Sequence, residues 1–389
     1  MPRGQTVPIT PEVLEWAVRT SGHSVQEIAD RLGVSNDLVS EWVSGSKRPT
    51  LTPLRRLASF LRRPLAAFLL PAPPRVSTQQ VEFRRPPDEH RRSLNPVEVQ
   101  NLRQASRLQR GIAWILSELN EEPADLPTTT IRRDPESVAE ELRRRLGVTV
   151  EQQLECSTDS KAMHLWRDHL QQSRVIVLLL PMGESSSRGF SLWDQQAPLI
   201  AVNTHWNNSA RIFTMFHELA HLITRTNSVC SEHTHARLRE GDDPVERWSE
   251  RFAAAFLAPS SDLERVLVER FAWRRGQVID DLRVARRLAS TFHVSIRAMT
   301  LRLIDHRIAG WELYRQIPRL SDQKRGGGGG EGRRRLQIRL DEYGERTASI
   351  FLKGLQAEVV SRTDVLNYLD IADSDLESLE AHANTRDRI

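Results

Sequence analysis

The chain has 389 residues, 39% hydrophobic and 27% charged, which suits two or three soluble domains with sizeable cores. Its longest apolar run, Val175 to Leu180, is far too short to span a bilayer, Met1-Pro2-Arg3-Gly4 opens no secretory signal, and Cys156 and Cys230 make no disulfide framework, so the expected setting is a reducing cytoplasm without a membrane partner. The net charge of +4 is uneven: residues 1–110 hold 17 Arg/Lys against 10 Asp/Glu, leaving the remainder slightly acidic, which points to a polyanion-binding module on a separate body.

Residues 10–70 alternate short helical patterns with turn signals. Pro11 to Arg19 is the first. Ser24 followed by Glu27 is a capping box, Gly33 ends the helix it starts, and Ser35 caps the next, Ser35 to Val43. Two short helices joined at Gly33-Val34 make a helix-turn-helix. The segment resembles the XRE (Cro/C1-type) repressor domains in Ile28-Ala29-x-x-Leu32-Gly33-Val34-Ser35, in Trp42-x-x-Gly45-x-x-Arg48-Pro49 and in Leu54-x-x-Leu57-Ala58. The resemblance implies that Ser35 to Val43 is a recognition helix in double-stranded DNA, with Asn36, Asp37 and Ser40 at base edges and Lys47 and Arg48 on phosphates.

Pro71-Ala72-Pro73-Pro74 stops the helices and starts a linker, taken as residues 71–94. Asn95 to Leu119 is a long helical pattern with Leu102, Leu108, Ile112, Ile115 and Leu116 as its apolar stripe, and Ser137 to Leu146 is another, ended by Gly147. Strands are expected at Val175 to Leu180, Gly189 to Trp193 and Pro198 to Asn203. Ile200 to Asn203 is expected to be an edge strand able to pair with an extended substrate.

The run Phe213 to Ile223 reads His217-Glu218-x-x-His221 inside a helical apolar stretch. Histidines at i and i+4 share one helix face, so both imidazoles can reach one metal ion, and Glu218 stands beside them as a proton acceptor. Catalytic zinc commonly takes three protein ligands and keeps one open position, so a third must come from elsewhere. Glu246 and Glu250 lie four apart on Pro244 to Leu257, a helix with Asp243 as cap. Glu246 is assigned to the metal, with Glu250 as an alternative ligand or a group orienting a ligand histidine. His233 and His235, on the intervening loop, are rival ligands or transition-state donors.

Arg211-x-Phe213-Thr214-x-x-His217-Glu218-Leu219-x-His221 and Glu246-x-x-x-x-x-Phe252-Ala253-Ala254-x-x-Leu257-x-Pro259 resemble the ImmA/IrrE family of metallopeptidases. Where that family usually carries Glu-x-x-Ala-Asn, this chain has Glu246-Arg247-Trp248-Ser249-Glu250. The resemblance covers roughly residues 20 to 310 and implies zinc, with manganese able to substitute in vitro, and a protein substrate of the helix-turn-helix repressor class. It also implies that Val284 to Ile304, a second helix-turn-helix in sequence, is a structural pair behind the active site.

Gly326 to Gly330 is a flexible linker, and the helical patterns Tyr343 to Leu355 and Ser361 to Leu369 follow it. The expected fold is α+β. Its parts are an all-α helix-turn-helix domain (1–70), a linker (71–94), a mainly helical zincin-like peptidase domain with a small sheet (95–318), a Gly-rich linker (319–335) and a small helical C-terminal region (336–389). The expected activity is that of a zinc endopeptidase (His-Glu-x-x-His type) with its own DNA-binding module. Its rival is a transcriptional or toxin–antitoxin-type regulator whose zincin fold senses a partner without turnover.

Overall fold

The computed structural model describes residues 6–74, 95–226, 228–230, 244–318 and 334–386. His233, His235, the expected cap Asp243 and the glycine run at 326–330 lie outside the described residues, as does most of the segment 71–94. The chain divides into two compact units, one holding the described residues up to Gln104 and the other those from Ala105 onward. The architecture is α+β, all-helical in the first unit and helical around a small sheet in the second.

The first unit contains α1 (Pro11–Arg19), α2 (Val25–Leu32), α3 (Asn36–Ser44), α4 (Leu51–Phe60), a 3-10 turn at Leu65–Leu69 and the start of α5 (Pro96–Glu118). The capping box forms as expected: Ser24 Oγ accepts from the Glu27 amide at 3.2 Å while the Glu27 carboxylate accepts from the Ser24 amide at 2.8 Å. Gly33 then takes the left-handed conformation (φ +70°) that lets the chain reverse without steric cost. Ser35 caps α3 through the Leu38 amide at 3.3 Å. Ile28, Leu32, Val39, Trp42, Leu54, Leu57 and Phe68 fill the core that these turns bring together.

The second unit continues α5 and adds α6 (Pro135–Leu146), α7 (Val150–Leu154), α8 (Asp159–Gln172), β1 (Ile176–Leu180), β2 (Gly189–Leu192), β3 (Leu199–Asn203), α9 (Asn208–Thr224) and β4 (Ser228–Cys230). It goes on with α10 (Pro244–Leu257), α11 (Ser260–Phe271), α12 (Leu282–Thr291), α13 (Ile296–Asp305) and α14 (Trp311–Arg315). Four further helices end it: α15 (Arg335–Tyr343), α16 (Glu345–Gln356), α17 (Arg362–Leu369) and α18 (Asp373–Arg386). The strand order is β1-β3-β2-β4, with β1 parallel to β3 and the other pairs antiparallel. This corrects the expectation that Ile200 to Asn203 is an edge. Every residue of β3 pairs with β1, and Leu199 to Val202 also pair with β2, so its backbone is committed on both sides and cannot take a substrate strand.

A core runs through the part of this unit from α6 to α14. It gathers Trp166 of α8, Val177 of β1, Ile200 and Val202 of β3, Phe216 and Leu219 of α9, Phe252 and Phe256 of α10, and Leu288 and Leu303 of α12 and α13. The second helix-turn-helix pattern is therefore turned inward: Ala285, Leu288, Phe292 and Val294 are buried. From α5, the Gln109 amide reaches the carbonyls of Leu192 and Ala197, both at 2.9 Å. The C-terminal helices also dock here. Buried Arg167 donates to Val177 O on β1 and to Asp341 O and Glu342 O at the end of α15, at 2.8 to 3.2 Å, so one guanidinium ties that helix end to the sheet.

Candidate metal centre

The helix α9 carries the two histidines, and it is buried on nearly every side. Asn207 caps it by accepting from the Ala210 amide at 2.9 Å, and of the residues Ser209 to Ile223 only Arg211 reaches partly to solvent. A helix buried on nearly every face belongs in a core, and besides Ser209 and Thr214 its buried polar residues are His217, Glu218 and His221.

A second helix supplies the carboxylate. Glu246 lies in the first turn of α10, and α10 meets α9 through the stacked rings of Phe216 and Phe256, 4.2 Å between centroids, with Trp248 stacked on Phe252 further along. The far end of α10 is held by buried side chains. Arg143 donates to Phe256 O at 2.7 Å, Gln153 to Leu257 O at 2.9 Å and Arg302 to Ala258 O at 2.9 Å. The last two carbonyls of α10 and that of the residue after it thus have fixed partners, which sets the axial position of Glu246.

The three side chains converge. Glu246 lies 3.1 Å from His217 Nε2 and 3.3 Å from His221 Nε2, and the two Nε2 atoms are themselves 3.1 Å apart. One ligand atom from each falls within 4.8 Å of the others, and among the described residues this is the group able to hold a metal ion. Thr226 Oγ1 lies 3.0 Å from His221 Nδ1 and so leaves Nε2 of that ring facing the cluster. Burial disfavours a charged His217, but its hydrogen bond to Glu246 and the charges of Glu246, Glu218 and Glu250 outweigh that and raise it to about 9. Burial likewise opposes ionisation of Glu246, yet the hydrogen bonds from His217 and His221 hold its carboxyl well below the usual range. A carboxylate facing two imidazoles that compete for one point is the donor set of a divalent ion, and zinc fits it.

The remaining expected residues divide. Glu218 is fully buried beside the histidines. Glu250 is near enough to act on His217 electrostatically but is not in the convergent group, and His233 and His235 lie outside the described residues. Two contributors had no signal in the sequence. Thr226 lies beyond the end of α9, brought back to His221 because Arg225 adopts φ +59°. Gly189 opens β2 against the face of Glu218: a Cβ there would lie 2.6 Å from Thr214 Cγ2, 2.8 Å from Ala201 O and 3.4 Å from Glu218 Cγ.

In the first unit, Asn36, Asp37 and Ser40 are exposed at the start and outer face of α3, and Lys47 and Arg48 are exposed beyond its end. The Asn36 amide donates to Gln26 Oε1 on α2, and Lys47 pairs with Glu41 at 3.3 Å. Gln26, which the motif did not single out, therefore orients Asn36.

Two imidazoles one turn apart on one helix and a carboxylate from the next define a metallopeptidase-like centre, here in a chain that also carries a helix-turn-helix unit. Residues 170–303 match the model of the IrrE N-terminal-like domain, a peptidase family, and residues 16–68 match a helix-turn-helix model. The chain thus joins a helix-turn-helix domain of the XRE type to an ImmA/IrrE-like peptidase domain, in that order. No curated protein matches the chain. Among the described residues no helix is long and apolar enough to cross a membrane.

Proposed function

We propose that this protein is a zinc-dependent endopeptidase carried by a DNA-binding module, and that it cleaves a helix-turn-helix repressor in trans to release stress, DNA-damage or mobile-element genes. The convergence of His217, His221 and Glu246 beside a buried Glu218 is the observation that carries this reading. His217 and His221 would hold the metal through Nε2 and Glu246 through its carboxylate. Zinc bound there supplies Lewis acidity toward a peptide carbonyl and acidifies water. Glu218 accepts the proton from the attacking water and returns it to the leaving amine nitrogen, a shuttle favoured by its fixed place in α9. Thr226 holds the His221 ring, and Gly189 keeps the β2 backbone close to Glu218.

The reading is tested by incubating the full chain, and a Glu218→Gln variant, with zinc and candidate repressors encoded beside its gene. Cleavage by the wild type and none by the variant is expected. Two other outcomes would displace the reading. Cuts confined to the protein's own segments at 71–80 or 326–330 would make it a self-processing regulator. Retained zinc with no cut in any protein would favour a sensor whose zincin fold has no turnover.

A further inference from the structure

In the first unit, two arginines are partly buried and, among the described residues, form no ion pair with a carboxylate. Arg63, after α4, donates from Nη2 to Thr20 Oγ1 at 3.1 Å, and its guanidinium carbon lies 4.2 Å from the Trp16 ring centroid. Its Nε is buried without an acceptor. Arg103, on α5, has a buried Nη2 that also lacks an acceptor, and among the described residues it makes no hydrogen bond or ion pair. Burial and then the neighbouring charge of Arg63 lower the Arg103 guanidinium to about 10. His23 completes the cluster. Its ring packs on Phe60, 4.4 Å between centroids, its Nδ1 is buried without a hydrogen bond, and it feels the charge of Arg103. Among the described residues the carboxylate paired with this cluster is that of Glu27, 3.7 Å from His23 Nδ1 and mostly exposed, and it is committed to the capping box of α2. The segments that carry the cluster are packed together: a Cβ on Gly22 would sit 3.2 Å from both Pro96 and Val99 of α5.

Guanidinium groups out of water are ordinarily paired, and donors turned inward without acceptors mark a place for an anion. A forked array of N–H groups matches a tetrahedral oxyanion. We propose that His23, Arg63 and Arg103 form a binding site for a small phosphate-type anion, separate from the exposed Asn36 to Arg48 face. Thr20 supports it by fixing Arg63. Both arginines are only partly exposed and each turns a buried N–H inward, which favours a free phosphate or phosphate ester over the backbone of a rigid duplex.

The test uses the full chain at constant ionic strength set with chloride. Inorganic phosphate, titrated calorimetrically and by melting temperature, is expected to bind saturably and raise the melting temperature. Arg103→Gln is expected to weaken phosphate about tenfold or more, the loss typical of a bidentate guanidinium contact, while Arg48→Gln leaves it unchanged. Without phosphate, Arg103→Met is expected to melt at or above the wild type, because it removes an uncompensated charge; a purely structural arginine would show the opposite. Random-sequence duplex DNA separates the two sources of phosphate. Loss of duplex affinity in Arg103→Gln equal to that in Arg48→Gln, with no response to inorganic phosphate, would assign the cluster to the DNA backbone and overturn the proposal. An equal response to phosphate in wild type and Arg103→Gln would overturn it as well.

Discussion

Thr226 shows what a single hydroxyl contributes to the centre. It accepts no regular place in α9, yet its Oγ1 at 3.0 Å fixes the His221 ring. Thr226→Val is expected to weaken zinc by about 10- to 100-fold, as loss of an outer partner typically does, and Thr226→Ser to restore most of it; competition with a chromogenic chelator measures both. The proposed metal ligands give sharper outcomes. The protein is expected to carry about one zinc per chain. His221→Ala should empty the site, whereas Glu218→Gln should keep the metal and lose proteolysis; full metal content in Glu246→Ala would pass the ligand role to Glu250 or to His233 or His235. Gly189→Ala is expected to cost about 1–3 kcal/mol, since the added methyl meets the Ala201 carbonyl and Thr214 and neither can yield without moving β2 or α9. Chemical denaturation measures that loss. The histidines were legible because a helical period of 3.6 turns a spacing of four into one face. Glu246, assigned to the metal from the sequence, is also the carboxylate that converges with the imidazoles; its spacing from Glu250 alone could not decide, because both lie on one face of α10 and its axial position against α9 determines which reaches them.

At the scale of elements, α10 is positioned by the partners of its last two carbonyls, from α6 and α7, and of the Ala258 carbonyl just beyond it, from α13. Arg302 also bonds Glu136, which accepts from Ser260. Burial opposes ionisation of Glu136, but the hydrogen bonds from Arg302 and Ser260 and the Arg302 charge outweigh it, so its folded pKa lies below the ordinary value of about 4.5. A carboxyl depressed on folding stabilises above its unfolded pKa and loses that contribution as pH falls through the folded one. Stability is therefore expected to decline as pH drops below about 4.5. Glu136→Gln should lower stability at pH 7 by roughly 2 kcal/mol and flatten that acid decline, read by urea denaturation at a series of pH values. Three of the four strands were legible as short runs, whereas β4, Ser228–Cys230, was not. Their order was not, since the parallel pairing of β1 with β3 leaves β2 on the other side of β3, and a run of apolar residues does not say which strands flank it.

On the scale of the whole molecule, a helix-turn-helix unit and a peptidase unit share one chain, and tethering raises the effective concentration of one site near the other's target. Cleavage is expected to accelerate when the protease and a repressor have sites on one duplex, and deletion of residues 1–75 should abolish the gain while sparing slow cleavage in free solution. The DNA-binding unit should also lose affinity steeply with salt. Arg48→Ala should weaken all duplexes alike and reduce the salt slope by about one, while Asn36→Ala should relax sequence preference, measured by fluorescence anisotropy across a salt series.

The burial of α9 has a further consequence. Its histidines are carried by a helix whose Phe216, Leu219, Leu222 and Ile223 are fully enclosed, in a core built from β1, β3 and the helices from α6 to α14. The scaffold therefore does not depend on the ion, in contrast to small zinc folds that melt on chelation. Stripping the metal should leave the far-ultraviolet circular dichroism unchanged and the chain resistant to proteases, with full recovery on adding zinc back. With zinc in the proposed site, a cell that limits zinc would silence such a molecule without destroying it, keeping a stock of folded, dormant copies that the arrival of an ion can wake faster than new synthesis.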